Sequence, residues 1–131
     1  MQLSFRTLST FTAALCVLLA LVWGLVPDWL LAIGSIEYST ATGLVARRSA
    51  ILFAALGMIL YGVRNEAPSV TRNALSNGFI AGSWGLAVLG FGEWLNGHAG
   101  PGILVSVVVE LALGLAFLQT KRVSVELETV N

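Results

Sequence analysis

The chain has 131 residues, of which 56% are hydrophobic and only 11% are charged. Because water-soluble domains normally carry about 25% charged residues, this composition excludes an ordinary soluble domain. Lysine plus arginine and aspartate plus glutamate number seven each, so the net charge is zero and nothing favours nucleic-acid binding. The single cysteine, Cys16, excludes an internal disulfide and a Cys-x-x-Cys redox pair.

Four long apolar stretches, with almost no charge inside them, take up most of the chain. A helix needs about 20 mainly apolar residues to cross a hydrocarbon core roughly 30 Å thick. Only helices and closed barrels satisfy their backbone groups in lipid, and these runs are too continuous for the alternation of barrel strands. The sequence therefore predicts an all-α protein, an antiparallel four-helix transmembrane bundle. One integral membrane domain would fill residues 1–131, with helices at about 8–26, 40–63, 73–95 and 101–120.

The connections between these helices have the composition of turns and interfacial segments. Pro27 ends the first helix, because proline cannot continue one. The amphipathic connector that follows carries Trp29 and Tyr38, which suit a membrane interface, and either Ser39 or Thr40 is the N-cap of the second helix. After the third helix, a glycine-rich turn leads to Pro101, a favoured first-turn residue of the fourth helix. A short tail, residues 121–131, completes the chain.

The distribution of lysine and arginine predicts the orientation. One face would hold five basic residues, and the other would hold two arginines beside acidic residues and the only histidine. Because basic residues favour the cytoplasmic side, we expect a multi-pass cell-membrane protein with both termini, and the tail, in the cytoplasm. The five residues on the cytoplasmic face would be Arg6, Arg64, Arg72, Lys121 and Arg122.

Glu110, near the middle of the fourth helix, is the sharpest candidate for a functional residue. A charge at the bilayer centre costs about 2.5–3.5 kcal/mol on insertion scales, so such a residue usually faces the bundle and has a partner. Ser106 and Gly114 share its helix face, and small residues there let another helix approach. The functional interpretation is a proton, ion or ligand site. The alternatives are a polar contact between helices and a carboxyl group kept neutral.

Arg47 and Arg48, near the start of the second helix, are the natural partners of Glu110. If that helix begins near residue 40, both lie several residues below the outer surface, at a depth comparable to that of Glu110. We expect one of them, Arg47 more than Arg48, to form an ion pair with Glu110. The alternative is that both side chains extend to lipid phosphates.

The third helix carries a stripe of small residues and a candidate for deep aromatic packing. Gly78, Gly82 and Gly85 share one face with Glu93 near the outer end, and we expect them to contact another helix within the bundle. A homodimer face is the alternative. Trp84 is predicted deep in the membrane, where it either packs in the core or stacks on a ligand. Two carboxylates and one histidine at this end predict no metal site.

At the second helix the chain resembles the small four-helix bacterial membrane proteins grouped as DoxX-like. Those proteins tend to have an arginine, a small residue three positions after it, and a glycine seven positions after the small residue. The matching residues here are Arg47, Ala50 and Gly57, followed after a polar turn by Arg72-Asn73-Ala74-Leu75. Some members of the wider group are linked to quinone-dependent oxidation of sulfur compounds. The resemblance implies a bacterial inner-membrane location and a quinone-like or other lipidic ligand, but it carries over no catalytic residue.

These observations predict a non-enzymatic accessory or lipid-binding membrane subunit. The alternatives are a small transporter or proton-coupled carrier that uses Glu110, and a quinone-binding component of a membrane oxidoreductase. We expect the lipid bilayer, and a homo-oligomer or larger membrane complex, as partners. No cofactor other than a quinone is predicted, and no residue is predicted to be catalytic. The predicted binding residues are Glu110, Arg47, Arg48, Ser106, Glu93 and Trp84.

Overall fold

The computed structural model describes the backbone of residues 4–130 and the side chains of residues 4–121. It confirms the predicted fold class, because the described chain is helical and its four long helices run antiparallel. Those four helices are long and apolar enough to cross a membrane. In chain order the elements are α1 Phe5–Leu25, α2 Pro27–Ile33, α3 Thr40–Gly62, α4 Val70–Leu95 and α5 Ile103–Val130.

Local hydrogen bonds explain where the helices begin. Ser4, Ser39 and Ser69 are the N-caps of α1, α3 and α4, and each hydroxyl accepts a bond from a backbone N–H three residues on. Ser39 and Thr42 also form a reciprocal capping box. Pro27 ends α1 and at the same time begins α2, because the fixed φ of proline suits the first turn of a helix. The connector predicted after Pro27 therefore starts with a short helix.

The last helix is longer than predicted. We expected it to end near residue 120, but α5 continues to Val130, so most of the predicted tail is helical. No glycine or proline follows Gly114 in the sequence, and the polar residues beyond position 120 include good helix formers. The membrane-spanning part of α5 is Ile103–Lys121.

The long helices pack as two antiparallel pairs, α1 with α3 and α4 with α5. Buried residues recur along each helix at spacings that combine three and four, the pattern of knobs-into-holes packing. We call the two contact surfaces the α1–α3 seam and the α4–α5 seam. Their buried residues include Ser9, Thr12 and Cys16 in α1, Ala46, Ala50, Gly57 and Leu60 in α3, Ser76, Ile80, Ser83, Ala87 and Gly90 in α4, and Val107, Gly114 and Phe117 in α5.

The two pairs are joined at both ends of the bundle. At the inner end, which holds the start of α1 and the loop between α3 and α4, the rings of Phe5 and Phe117 meet edge to face at 6.2 Å between centroids. At the outer end, which holds α2 and the loop between α4 and α5, the Gly100 N–H donates to the Gly34 carbonyl at 2.7 Å. Position 102 must be glycine, since a Cβ there would collide with the Ile33 carbonyl.

The outward faces of the long helices are strongly apolar. Met58 is 76% exposed, Val88 73% and Leu52 71%, among many other large hydrophobic side chains. A soluble monomer rarely exposes apolar surface so continuously, whereas lipid tails solvate such a surface without cost. The protein is therefore a small multi-pass membrane protein.

Candidate functional site

Glu110 lies in the α4–α5 seam. It follows Val107 by three residues and precedes Gly114 by four, and both of these neighbours are buried against α4. The residue is partly exposed, but its Oε2 atom is buried and has no hydrogen-bond partner. An unsatisfied buried acceptor costs about 1–3 kcal/mol, and more when it is charged. The carboxyl group is therefore an unusual feature of this seam.

Trp84 brings a second unsatisfied polar atom to the same seam. Its indole lies against Gly114, one helical turn from Glu110, and a Cβ at position 114 would collide with Nε1. The Nε1 atom is buried and has no hydrogen-bond partner. The Trp84 indole thus packs in the α4–α5 seam, in a pocket that exists because residue 114 is glycine.

The two unsatisfied atoms have complementary chemistry. An indole N–H only donates, whereas a carboxylate only accepts and a neutral carboxyl group also donates. Among the described side chains, Trp84 Nε1 and Glu110 Oε2 are the only buried polar atoms without a partner. The seam is thus equipped to bind a small polar group or to take up and release a proton at Glu110.

The predicted ion pair between Glu110 and an arginine of α3 is wrong. The only ion pair among the described side chains joins Glu93 and His98. Arg47 and Arg48 are both exposed. The physical reason is the pairing of the helices: α3 packs on α1 and α5 packs on α4, so the arginines are not carried to the α4–α5 seam.

Ser106 does not serve as a substitute partner. It lies one turn before Glu110 but is exposed, and no hydrogen bond among the described residues joins the two side chains. Both arginines and Ser106 are therefore surface residues of the bundle, and the structure brings none of them together with Glu110.

Glu93 forms a local pair at the outer end of the bundle. His98 Nδ1 and Glu93 Oε2 are 2.9 Å apart, across the turn that follows α4. Both side chains are well exposed, and exposed pairs contribute little to stability. Within residues 4–121, no group of three or more histidine, cysteine or acidic side chains could hold a metal ion.

The glycine stripe of α4 points away from the bundle. At Gly78, Gly82 and Gly85 an added Cβ would meet nothing within 4 Å, so the prediction that they contact another helix of the bundle is wrong. The glycines that allow close packing are Gly57 and Gly90 instead. A Cβ on Gly57 would lie 3.2 Å from the Ala13 carbonyl oxygen, and one on Gly90 would lie 3.1 Å from Val107. The alternative of a homodimer face stays a prediction.

A second candidate site, which we call the outer cleft, opens where α1, α2 and the start of α3 meet. Its volume is about 360 Å³ and its lining is almost wholly apolar. The two hydroxyl groups that line it donate within α3, from Thr42 to the Ser39 carbonyl at 2.9 Å and from Ser49 to the Val45 carbonyl at 3.0 Å. The lining residues are Trp23, Leu31, Ile36, Ala41, Thr42, Val45, Ala46 and Ser49.

The sequence interpretation missed the outer cleft because it assigned the amphipathic connector to the membrane interface and considered only Trp29 and Tyr38 in it. The sequence signal was the pair of apolar residues Leu31 and Ile36 in the connector. In the structure Leu31 is buried and Ile36 lines the outer cleft. A short helix that begins at Pro27 turns these side chains back toward α1 and α3.

No protein-family model, curated protein or solved structure matches the chain. The resemblance to the DoxX-like proteins stays a prediction.

Proposed function

We propose that the protein is a non-enzymatic membrane subunit that binds a lipidic ligand in the outer cleft. The ligand is an apolar chain, either the acyl chain of a lipid or the tail of a quinone. The observation that carries the proposal is the apolar lining of the cleft, together with its place between the short helix α2 and two helices that are apolar enough to span a membrane. Its volume of about 360 Å³ falls in the range of small-molecule sites.

The chemistry of the lining supports a ligand without strong polar recognition. Both hydroxyl groups already donate to carbonyls of α3, and no charged residue lines the cleft. An apolar chain that leaves the bilayer for this cleft exchanges one apolar environment for another, so affinity depends on shape and on dispersion contacts. Such a site suits binding and positioning more than bond-making chemistry.

A matched pair of variants on α3 tests the proposal. Val45 lines the cleft and is 64% exposed, whereas its neighbour Leu44 is outside the cleft and 61% exposed. Val45→Trp should fill the cleft, and Leu44→Trp should add the same bulk toward lipid. The assay is photo-crosslinking with a diazirine phosphatidylcholine and with an azido-quinone, followed by mapping of the labelled residues.

We expect label at Leu31 or Ile36 in the parent protein, loss of that label in Val45→Trp, and no change in Leu44→Trp. The probe that labels, and that its unlabelled counterpart displaces, identifies the ligand class. Equal labelling in both variants would refute the cleft as the binding site.

A second candidate function, a proton-coupled carrier, is favoured by one specific observation. Glu110 Oε2 is buried in the α4–α5 seam without a partner, so the energetic difference between its charged and neutral forms depends on what enters the seam. In proteoliposomes with an internal pH dye, the parent protein should carry a proton flux and the Glu110→Gln variant should carry none. The thermal unfolding temperature of the variant should equal that of the parent protein. Equal flux in the variant would exclude this role.

We further propose that both termini face the cytoplasm of a cell membrane. The inner end carries four described basic residues, Arg6, Arg64, Arg72 and Lys121, and one acidic residue, Glu66. Asp28 and Glu37 lie at the outer end, and Arg47 and Arg48 lie on the outer half of α3. This distribution supports the proposal through the positive-inside rule. Reporter fusions at the C-terminus and in the loop at 96–99 should report from opposite sides. A C-terminal reporter active outside the cytoplasm would overturn the assignment.

A further inference from the structure

The inner end of the α1–α3 pair carries a basic groove that neither proposed function uses. We call it the arginine groove. Its volume is about 570 Å³. The hydrogen bond from the Ser9 hydroxyl to the Leu60 carbonyl, 2.7 Å long, fixes the register of α1 against α3 and sets position 6 level with position 63 or 64. The lining residues are Arg6, Thr7, Thr10, Phe11, Tyr61 and Arg64.

Two arginines from different parts of the pair therefore line one groove at one level, where α1 begins and α3 has just ended. No carboxylate lines the groove, and neither arginine belongs to the one ion pair found among the described side chains. Arg64 is held from one side only: Nη1 donates to the Tyr61 carbonyl at 2.5 Å, and its guanidinium carbon lies 3.6 Å from the centre of the Tyr61 ring. Among the side chains that the structure describes, the groove is thus positively charged and has no acidic partner.

The walls of the groove are aromatic and face outward. Phe11 is 62% exposed and Tyr61 is 52% exposed, on the lipid-facing side of the pair. Phe11 lies about one and a half turns deeper along α1 than Arg6. Charge at the helix ends and an apolar wall just below them match an amphiphile that has an anionic head and an apolar body.

We propose that the arginine groove binds an anionic phospholipid, with its phosphate between Arg6 and Arg64 and its first acyl carbons against Phe11 and Tyr61. The outer cleft lies at the opposite end of α1 and α3, and Glu110 belongs to the other helix pair. The lipid here is a structural or regulatory ligand of the inner surface, and the groove binds it whether or not the outer cleft or Glu110 functions as proposed.

The test compares two variants that each remove one positive charge from the same end. Arg64→Gln removes it from the groove, and Lys121→Gln removes it from α5, where Lys121 donates to Asn77 outside the groove. Each protein is purified from bilayers of mixed phosphatidylglycerol and phosphatidylcholine, and retained lipid is counted by native mass spectrometry. A basic group at a membrane surface changes the binding of an anionic lipid by about fivefold.

We expect Arg64→Gln to lower phosphatidylglycerol retention by more than about tenfold, because it removes a charge-assisted hydrogen bond to the phosphate as well as a surface charge. Lys121→Gln should lower it by at most about fivefold, because that side chain contributes only to the general surface potential. Arg64→Lys should retain most of the lipid, and Phe11→Gln should weaken retention although it leaves the charge intact. Phosphatidylcholine retention should not change in any variant.

Equal losses in Arg64→Gln and Lys121→Gln would overturn the proposal in favour of a general surface potential. Displacement of the lipid by millimolar inorganic phosphate would overturn it in favour of a free-anion site. Thermal unfolding of each variant in detergent checks that the fold is intact. If Arg64→Gln unfolds, Arg6→Gln takes its place, because Arg6 donates no hydrogen bond to another described residue.

Discussion

Both seams of the bundle contain polar side chains within the membrane-spanning helices. The two seams differ in how many of these side chains have a hydrogen-bond partner. In the α1–α3 seam, Ser9 donates to the Leu60 carbonyl at 2.7 Å and Thr12 donates to the Leu8 carbonyl at 2.8 Å, and both residues are fully buried. In the α4–α5 seam, Trp84 Nε1 and Glu110 Oε2 are buried without a partner.

The difference follows from the reach of the side chains. A serine or threonine hydroxyl in a helix can donate to the carbonyl four residues earlier, as Thr12 does, so it carries its own partner into lipid. An indole nitrogen or a carboxyl group reaches beyond the backbone of its own helix and needs a partner from elsewhere. The α1–α3 seam is thus complete in itself, whereas the α4–α5 seam is the part of the bundle where an external polar group can act.

The largest expected effect tests whether the α1–α3 seam is as tightly packed as its hydrogen bonds indicate. Gly57→Leu should destabilise the protein by about 3 kcal/mol, because the added side chain meets the backbone of α1 at Ala13, which cannot turn aside. Gly82→Leu is the control, since nothing lies within 4 Å of a Cβ there. Thermal unfolding in detergent measures both. Equal stability of the two variants would mean that the seam adapts to bulk.

The second prediction concerns the unsatisfied carboxyl group of the α4–α5 seam. Glu110→Met should stabilise the protein by about 2 kcal/mol, because it removes a buried acceptor that has no partner. Glu110→Gln keeps a polar group of the same shape and should change stability much less. Chemical denaturation in mixed micelles measures the difference. A large loss of stability in Glu110→Met would show that the carboxyl group has a partner after all.

The smallest expected effect is the matching removal of a satisfied polar group from the α1–α3 seam. Ser9→Ala should destabilise the protein by about 1 kcal/mol through loss of the bond to the Leu60 carbonyl. Ser106→Ala is the matched control, because the Ser106 side chain is exposed and makes no hydrogen bond to a described residue. Removing a polar group would then change stability in opposite directions in the two seams. The same sign for Ser9→Ala and Glu110→Met would contradict the comparison.

The sequence was sufficient for the features of the fold that depend on neighbouring residues. The capping role of Ser39 depends on a threonine three residues on, so it could be predicted from the local sequence. The place of Glu110 within a candidate membrane-spanning helix follows from its position in an apolar run. The effect of Pro27 was only half predicted, since it ends one helix and also begins the next.

The sequence was not sufficient to predict which helices pair. In water, a hydrophobic stripe identifies the buried face, but in lipid both faces of a spanning helix are apolar. Helix α4 carries one stripe of small residues through Gly78, Gly82 and Gly85 and another through Ser76, Ser83 and Gly90. The three glycines favoured the first stripe, and the structure buries the second. The expected partner of Glu110 failed for the same reason, since it depended on α3 packing beside α5.

The pairing of the helices also has a consequence for how the protein is made. During synthesis, α1, α2 and α3 leave the ribosome first, and they contain both halves of a complete seam. This hairpin can insert and pack before α4 exists, and the second hairpin can then form its own seam independently. The hairpins then join through the ring contact of Phe5 with Phe117, the backbone bond from Gly100 to Gly34 and a shared apolar cluster that includes Leu60 and Ile80. A chain cut in the loop between α3 and α4 would therefore yield two insertion-competent halves that can find each other within the bilayer.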